Sequence, residues 1–368
     1  MTTPQKRIAI FLPSLSGGGA ERTLLKLAGG IASRGYGVDL VLARAQGPYL
    51  PDVPPSVQVV DLRSRRDALS LFGLMRYLRQ TRPAALISAL HTNIVAILAK
   101  NISRVATRVI VSERNTFSTR VESFLSDSRI RLLPNLVRYF YPSADGVVAV
   151  SRGVADDLVR RVGIPQDKVT VIYNPVITPE LSEKTLRSLD HLWFEAGQPP
   201  VILSVGRLTA QKDFATLIRA FARVRESQNA RLLVLGEGEE RRALEAEVRE
   251  LGLDQHICLP GFVNNPYPYM KRGSVFVLSS RYEGLPGVLI EALFCGTRLV
   301  ATDCPSGPRE ILADGKYGQL VPVGDVDALA QAMIRALTGQ TCPPSEEAWQ
   351  PFQLEHVVDQ YLHLALGN

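Results

Sequence analysis

Short apolar runs alternate with longer stretches of helical period along the first half of the chain. Within residues 20–34, apolar side chains recur at the spacing of one helix face, at Leu24, Leu27, Ala28 and Ile31. The short runs are rich in Val, Ile and Leu with little polar alternation, which is typical of parallel strands covered on both faces. They predict strands at residues 7–13, 38–43, 57–62, 84–90, 107–112, 146–150 and 169–173.

The alternation stops between residues 174 and 200, where Pro, Ser and Glu indicate a connector, and then begins again. A helix is predicted near 213–226 and a last one at 355–366. Further strands are predicted at 201–205, 231–235, 257–259, 274–278, 298–301 and 319–321. We therefore expect an α/β protein with two doubly wound Rossmann-like domains that face each other across a cleft. Their expected limits are 1–175 and 176–345, with 346–368 as a helix that packs back toward the first domain.

Length and composition agree with two domains. A chain of 368 residues with 46% hydrophobic residues can form two cores, because single cores rarely grow past about 250 to 300 residues. The cysteines contain no CxxC pair, so they indicate neither a zinc site nor a disulfide framework, and we expect reduced thiols in a cytoplasmic protein. They are Cys258, Cys295, Cys304 and Cys342. No apolar stretch reaches about 18 residues, so we expect neither a membrane span nor export.

The net charge of +6 is unevenly distributed. Residues 1–180 carry 24 Lys and Arg against 13 Asp and Glu, a balance of +11, whereas residues 181–368 carry 18 against 23, a balance of −5. The first half is therefore expected to meet something anionic, unless the charge serves solubility alone. Basic and apolar side chains interleave in two places, which favours a peripheral position on an anionic membrane, with a solvated helix face as the alternative. The residues are Arg63, Arg65 and Arg66, and Arg129, Arg131 and Arg138 beside Leu132, Leu133, Tyr139 and Tyr141.

Two loops at predicted strand ends are candidate phosphate sites. Gly17, Gly18 and Gly19 join the first strand to the first helix, where backbone amides at a helix N-terminus attract phosphate; a plain turn is the alternative. The spacing is not the dinucleotide fingerprint, which would need a glycine at position 22. Arg207 and Lys212 follow the strand 201–205. Fixed cations there would stabilise the charge that a diphosphate leaving group gains. For either residue taken alone, a surface charge that caps a loop is the alternative.

The sharpest motif spans residues 281–291, directly after a predicted strand. Its two carboxylates, Glu283 and Glu291, have seven residues between them. A helix that starts near Leu285 would place Glu283 in the loop at its mouth and Glu291 along the helix. The backbone of Gly284, Leu285, Pro286 and Gly287 would then offer amide donors to a phosphate or sugar oxygen. Carboxylates accept hydroxyl protons well, so one is suited to the transferred sugar and the other to a ribose.

Taken in order, these motifs resemble the retaining family 4 of GT-B glycosyltransferases, and the likeness covers nearly the whole chain. It is carried by residues 17–21, 205–208 with Lys212, 236–238, and the pair Glu283 and Glu291. The resemblance implies a UDP- or GDP-sugar donor, a glycan or glycolipid acceptor, and transfer with retention of configuration. It implies donor contacts in the second domain: Arg207 and Lys212 with the diphosphate, Glu291 with the ribose, Glu283 with the transferred sugar, Gly236 in the same site, and Gly261, Phe262 and Val263 near the base.

The resemblance also implies acceptor residues in the first domain. His91 follows the strand 84–90, where family members often place a histidine near the reacting sugar; a satisfied loop histidine is the alternative. Glu113 and Arg114 end the strand 107–112 and are similar to a family segment near the acceptor, although they could pair with their own surroundings. By the same resemblance His91, Glu283, Arg207 and Lys212 are the candidate catalytic residues. The stretch 304–310 is similar to members that extend lipid-linked or surface oligosaccharides.

No metal or other cofactor, and no nucleic acid, is expected. Asp325 and Asp327 fit the DxD metal motif of another glycosyltransferase fold, but they precede a predicted helix at 328–337, where aspartates are expected as N-caps. Cationic side chains already suit the diphosphate. Two alternatives on the same scaffold are a nucleotide-sugar epimerase and a non-catalytic sugar-nucleotide-binding protein, which a fold alone does not separate.

Overall fold

The chain divides into two compact units. A computed structural model describes residues 6–116, 128–339 and 344–367, without the side chains of residues 128–132. The first unit contains the chain up to Pro175 together with the segment from Phe352 onward. The second unit runs from Val176 to Pro351.

A parallel sheet of seven strands forms the centre of the first unit within the described residues. Its strands are β1 (Arg7–Leu12), β2 (Gly37–Leu42), β3 (Val57–Asp61), β4 (Ala85–Ala89), β5 (Arg108–Glu113), β6 (Gly146–Ala149) and β7 (Val169–Val171). They lie in the order β3-β2-β1-β4-β5-β6-β7. Each predicted strand is present, since continuous apolar runs such as Ile8 to Leu12 are buried on both faces of the sheet.

Helices cover this sheet. They are α1 (Gly19–Ser33), α2 (Ser70–Thr81), α3 (Asn93–Ser103), α4 (Ser128–Phe140) and α5 (Arg152–Asp156). The expected apolar face of α1 is buried, with Leu24, Ala28 and Ile31 all inaccessible to solvent. These side chains share one hydrophobic core with the strands β1 and β2.

The second unit has the same design. Its strands are β8 (Val201–Val205), β9 (Arg231–Leu235), β10 (Ile257–Gly261), β11 (Val275–Leu278), β12 (Arg298–Thr302) and β13 (Gln319–Val321), in the order β10-β9-β8-β11-β12-β13. Its helices are α6 (Pro179–Thr185), α7 (Phe214–Arg225), α8 (Arg241–Glu250), α9 (Tyr267–Arg272), α10 (Gly287–Phe294), α11 (Pro308–Ile311) and α12 (Val326–Leu337). The predicted strands of this half are also present.

The last helix, α13 (Leu354–Leu366), packs within the first unit against α1, β4 and β5. Its apolar side chains join the core of that unit, Val357 and Ala365 being fully buried. Gly30 of α1 allows the close approach, because a Cβ there would lie 2.6 Å from a methyl carbon of Val358.

Each sheet has one point where the strand order changes direction, between β1 and β4 in the first and between β8 and β11 in the second. The loops that leave the carboxyl ends of such strands diverge, and ligands of open α/β sheets bind in the resulting crevice. Residues 17–19 and His91 follow β1 and β4, whereas Arg207 and Glu283 follow β8 and β11. These four predicted positions therefore lie at two such switch points.

Candidate functional site

A cation and a carboxylate meet at the switch point of the second sheet. The ammonium of Lys212 donates to Oε1 of Glu283 at 2.5 Å, and the hydroxyl of Ser280 donates to the same oxygen at 2.7 Å. The side chains of Lys212 and Glu283 are only 17% and 9% exposed. Both bonds go to Oε1, so one oxygen of the Glu283 carboxylate receives both donors.

Two glycines hold the Arg207 loop against the loop that follows β9. Gly236 has a φ of +151°, and a Cβ there would overlap the carbonyl oxygen of Gly206. A Cβ at Gly238 would likewise overlap the carbonyl oxygen of Leu208. Backbone therefore packs directly on backbone, which only glycine permits at these two positions. The Arg207 side chain is exposed at the rim of this loop pair.

The two carboxylates of the motif lie in different environments. Glu283 is in the loop, and Glu291 is on α10, as the sequence predicted. Glu291 is 8% exposed, and its Oε1 accepts a hydrogen bond from the hydroxyl of Tyr267 at 3.1 Å. The helix begins at Gly287 rather than near Leu285. Of the four backbone amides expected as donors in residues 284–287, the one at Pro286 does not exist, because proline has no N–H.

A segment after β12 pairs with the Glu283 loop, and the sequence analysis missed this support. The Glu283 amide donates to the Pro305 carbonyl at 2.7 Å, and the Ser306 amide donates to the Glu283 carbonyl at 2.9 Å. Gly307, with a φ of +99°, packs so closely that a Cβ would lie 2.6 Å from Cδ of Pro286. The likeness of residues 304–310 to family members was the only sequence signal for this contact.

Buried thiols accompany the site. Burial, together with the nearby carboxylate of Glu283, raises the pKa of the Cys304 thiol to about 12. Burial also raises the pKa of Cys295 to about 12. Thiols with such pKa values stay protonated near neutral pH and are poor nucleophiles. Cys258 is a free thiol as well, and Cys342 lies outside the described residues.

The residues predicted near the base lie at the end of an edge strand. Gly261 ends β10, and its carbonyl accepts a hydrogen bond from the amide of Gly236 at 2.8 Å. Phe262 follows with 75% of its surface exposed. This bond ties the strand end that precedes Phe262 and Val263 to the loop after β9, which packs on the Arg207 loop.

The glycine loop of the first unit already holds a carboxylate. The amide of Gly18 donates to the side chain of Glu21, which is only 7% exposed. Gly17 has a φ of +101°, so the loop needs glycine for its turn. Gly17, Gly18 and Gly19 therefore form a turn that caps the helix α1. Phosphate binding at this turn stays a prediction.

His91 lies at the switch point of the first sheet. It occupies a single-turn helix, Leu90–Thr92, directly after β4, and its side chain is 51% exposed. Its Nε2 lies 2.7 Å from a carboxylate oxygen of Asp67. The ring is therefore held on one side and open to solvent on the other.

The predicted acceptor residues Glu113 and Arg114 are buried in the first unit, at 7% and 8% exposure. The side chain of Glu113 accepts hydrogen bonds from the side-chain Nδ2 of Asn93 at 2.8 Å and from the hydroxyl of Tyr141. Burial lowers the pKa of the Arg114 guanidinium, and a hydrogen bond with Tyr361 opposes that shift. Both side chains are thus tied to their own surroundings, and their contact with an acceptor stays a prediction.

Basic and apolar side chains are exposed in two segments of the first unit. Arg65 and Arg66 are exposed close in sequence to Leu69 and Phe72, which are 52% and 70% exposed. On α4, Leu136 and Tyr139 are exposed beside Arg138. Tyr141, which was predicted with them, is buried at 1% exposure. Arg129, Arg131 and Leu132 were predicted to contribute to the same membrane contact, but their side chains are not among those that the structure describes. None of the described helices has the length and hydropathy needed to span a bilayer.

Asp325 caps a helix, as expected. Its side chain accepts a hydrogen bond from the amide of Ala328 at 2.9 Å, at the start of α12. Asp327 is exposed and lies 3.9 Å from Arg223. Across the described ranges, no group of three or more His, Cys, Asp and Glu side chains is placed to hold a metal ion.

Known proteins with related sequences decide which family these motifs represent. Residues 17–179 match the family described as Glycosyltransferase Family 4, and residues 193–351 match Glycosyl transferases group 1. A Campylobacter jejuni protein is 31% identical in an alignment of 346 positions, gaps included, that covers 89% of each chain. The chain belongs to glycosyltransferase family 4. That relative is the N-acetylgalactosamine-N,N'-diacetylbacillosaminyl-diphospho-undecaprenol 4-alpha-N-acetylgalactosaminyltransferase. The protein is accordingly a glycosyltransferase.

Solved structures show the same two-domain fold. The lipopolysaccharide outer core galactosyltransferase WaaB, in its apo form, superposes with a TM-score of 0.75 at 19% identity, over 98% of this chain and 99% of that one. HepE of Anabaena in complex with UDP gives a TM-score of 0.75 at 21% identity, over 98% and 99%. The predicted GT-B fold of two Rossmann-like domains is confirmed.

Proposed function

We propose that this glycosyltransferase moves a sugar from a nucleoside-diphosphate sugar to a hydroxyl of a lipid-linked or surface glycan, with retention of configuration. The observation that carries the proposal is the Lys212–Glu283 pair beside the Arg207 loop at the switch point of the second sheet. The name of the Campylobacter jejuni relative supports a diphospho-undecaprenol-linked acceptor, and the UDP bound to HepE supports a nucleotide donor.

Charge placement suggests how this site would act. When the sugar leaves, the diphosphate gains negative charge, and fixed cations at Arg207 and Lys212 stabilise that charge more in the transition state than in the ground state. The second oxygen of Glu283 accepts a hydroxyl of the transferred sugar. The reaction proposed here needs neither a metal nor another cofactor.

Retention is proposed to occur without a covalent sugar intermediate. The bond to the leaving diphosphate oxygen breaks while the acceptor hydroxyl attacks the same face of the sugar, and that phosphate oxygen takes the hydroxyl proton. A double displacement needs two carboxylates that flank one bond, about 5 to 5.5 Å apart. Glu291 is instead buried against Tyr267. Its proposed role, contact with the ribose, is the one that the family resemblance implies.

We also propose that the first unit rests on an anionic membrane surface, on the cytoplasmic side. The exposed side chains of Leu69 and Phe72 supply apolar contacts, and Arg65 and Arg66 supply charge complementarity to acidic headgroups. An acceptor carried by a lipid would be presented at the same surface.

A donor panel tests the proposed reaction. Full-length protein is incubated with UDP- and GDP-sugars, with and without a diphospho-undecaprenol-linked glycan, in the presence and absence of EDTA. We expect nucleoside diphosphate release that depends on the acceptor, persists with EDTA, and yields a product whose anomeric configuration matches that of the donor by NMR. Epimerised sugar nucleotide formed without acceptor would instead support an epimerase, and binding without turnover would support a sensor.

A further inference from the structure

His91 is presented by a turn that fixes its backbone. Leu90 has a φ of +67°, in the left-handed region that a leucine rarely adopts, so the chain turns sharply as it leaves β4. The hydroxyl of Thr92 donates to the carbonyl of Ala89 at 2.8 Å and closes the turn from inside. The imidazole is thus projected at the carboxyl end of the sheet.

Asp67 joins His91 to a third loop at the same sheet edge. One Asp67 oxygen lies 2.7 Å from Nε2 of His91, and the other lies 3.0 Å from Nη2 of Arg44. Asp67 begins a short helical turn that follows β3, and Arg44 follows β2. Nη1 of Arg44 also donates to the carbonyl of Arg65 at 3.2 Å, which anchors the guanidinium. The carboxylate is therefore held between a fixed cation and the imidazole.

The contact with Asp67 determines which ring nitrogen carries hydrogen. A carboxylate accepts hydrogen bonds and donates none, so Nε2 of His91 must be the protonated nitrogen in this pair. In a neutral imidazole the other nitrogen, Nδ1, then has a free lone pair. With about half of the His91 side chain exposed, a ligand hydroxyl can reach the ring.

We propose that Asp67 is a positioning residue for sugar transfer: it fixes the ring orientation and the tautomer of His91, so that Nδ1 accepts a hydrogen bond from a sugar hydroxyl. This inference rests on the proposed function, because it requires that His91 contacts the substrates. Arg44 supports the arrangement by holding the carboxylate in place.

A double-mutant cycle tests the proposal with full-length protein, a nucleotide-sugar donor and a lipid-linked acceptor. Asp67→Asn keeps the size of the side chain but adds an amide donor that can face Nε2 and reverse the tautomer. We expect kcat to fall about tenfold or more, as is typical when the partner that orients a functional histidine is lost. In the His91→Ala background, Asp67→Asn should cause no further loss, because residues that act through one another are not additive. Asp52→Asn, an exposed aspartate of the same unit, is the matched control.

A second measurement does not depend on activity. Nitrogen-15 NMR of histidine-labelled protein, with His91 assigned by its loss in His91→Ala, should show hydrogen on Nε2 in the wild type and a shift toward Nδ1 in Asp67→Asn. An Nδ1–H tautomer in the wild type would overturn the proposal. So would an equal loss of kcat from Asp67→Asn in both backgrounds, or wild-type kcat in His91→Ala. Failure of the proposed function is distinguished by the donor panel, in which no sugar transfer at all would occur.

Discussion

Lys212 has the donors for a second partner besides Glu283. An ammonium has three N–H donors, so the bond to Glu283 leaves two for phosphate oxygens. A diphosphate at this position would therefore be bridged to the sugar-binding carboxylate by one side chain. This bridge would couple the position of the leaving group to that of the sugar.

Replacing Lys212 by methionine should abolish this bridge with little change in volume. We expect transfer to fall by about 10²- to 10³-fold, since a fixed group that stabilises developing charge is lost and Glu283 is left buried without its cation. Steady-state kinetics with saturating acceptor measure the effect. Lys271→Met, at an exposed lysine of α9, is the control and should keep wild-type kinetics. Equal activity in the two variants would refute the role of Lys212.

The sequence predicted the surroundings of some site residues and not of others. The expected helix start near Leu285 placed Glu283 in a loop and Glu291 on a helix, and the structure confirms both positions although the helix begins at Gly287. The burial of Glu113 could not be predicted, because it depends on Asn93 and Tyr141, which are 20 and 28 residues away. The Asp67–His91 contact is a similar case, since it forms only when β3 and β4 take their places around β1.

At the scale of elements, the strands were predictable because parallel strands are apolar throughout. Helix starts were less predictable. The helix α10 was expected to start near Leu285, but Pro286 is its N-cap and the helix begins at Gly287. The pairing of the Glu283 loop with residues 305 and 306 had no local signal, since it joins two loops that follow different strands. Contacts between two such loops depend on the tertiary structure, so they cannot be predicted from the sequence of either loop.

Gly307 provides a test of that support. In Gly307→Ala the new methyl group would meet Pro286 and displace the Glu283 loop, so we expect kcat to fall by about tenfold or more, because a displacement of about 1 Å can be that costly. Gly315→Ala is the control: Gly315 has nearly the same φ, at +98°, but nothing lies within 4 Å of its added Cβ. Both variants therefore place alanine at a φ near +100°. Equal kcat values would show that the contact does not position Glu283.

At the scale of the whole molecule, charge separates the two halves of the chain. The balance of +11 over residues 1–180 contrasts with −5 over the remainder. The structure shows exposed apolar side chains among the basic residues of the first unit, at Leu69 and Phe72. Charge and apolar exposure together are what a peripheral membrane surface requires.

Liposome co-sedimentation tests this surface. The protein should bind vesicles that contain phosphatidylglycerol and not vesicles of phosphatidylcholine alone, and binding should weaken with salt because headgroup attraction is screened. Phe72→Ser should reduce binding, whereas Leu192→Ser, at a residue of the second unit that is 73% exposed, should not. Binding that ignores lipid charge, or that both variants reduce equally, would count against the first unit as the docking surface.

The central claim is that the donor diphosphate binds at the switch point of the second sheet. The most direct measurement is a crystal structure of the full-length protein with a bound UDP- or GDP-sugar. We predict phosphate oxygens within hydrogen-bond distance of Arg207 and Lys212 and a sugar hydroxyl on the carboxylate of Glu283. A diphosphate bound away from these side chains, for example at the glycine loop before α1, would contradict the claim.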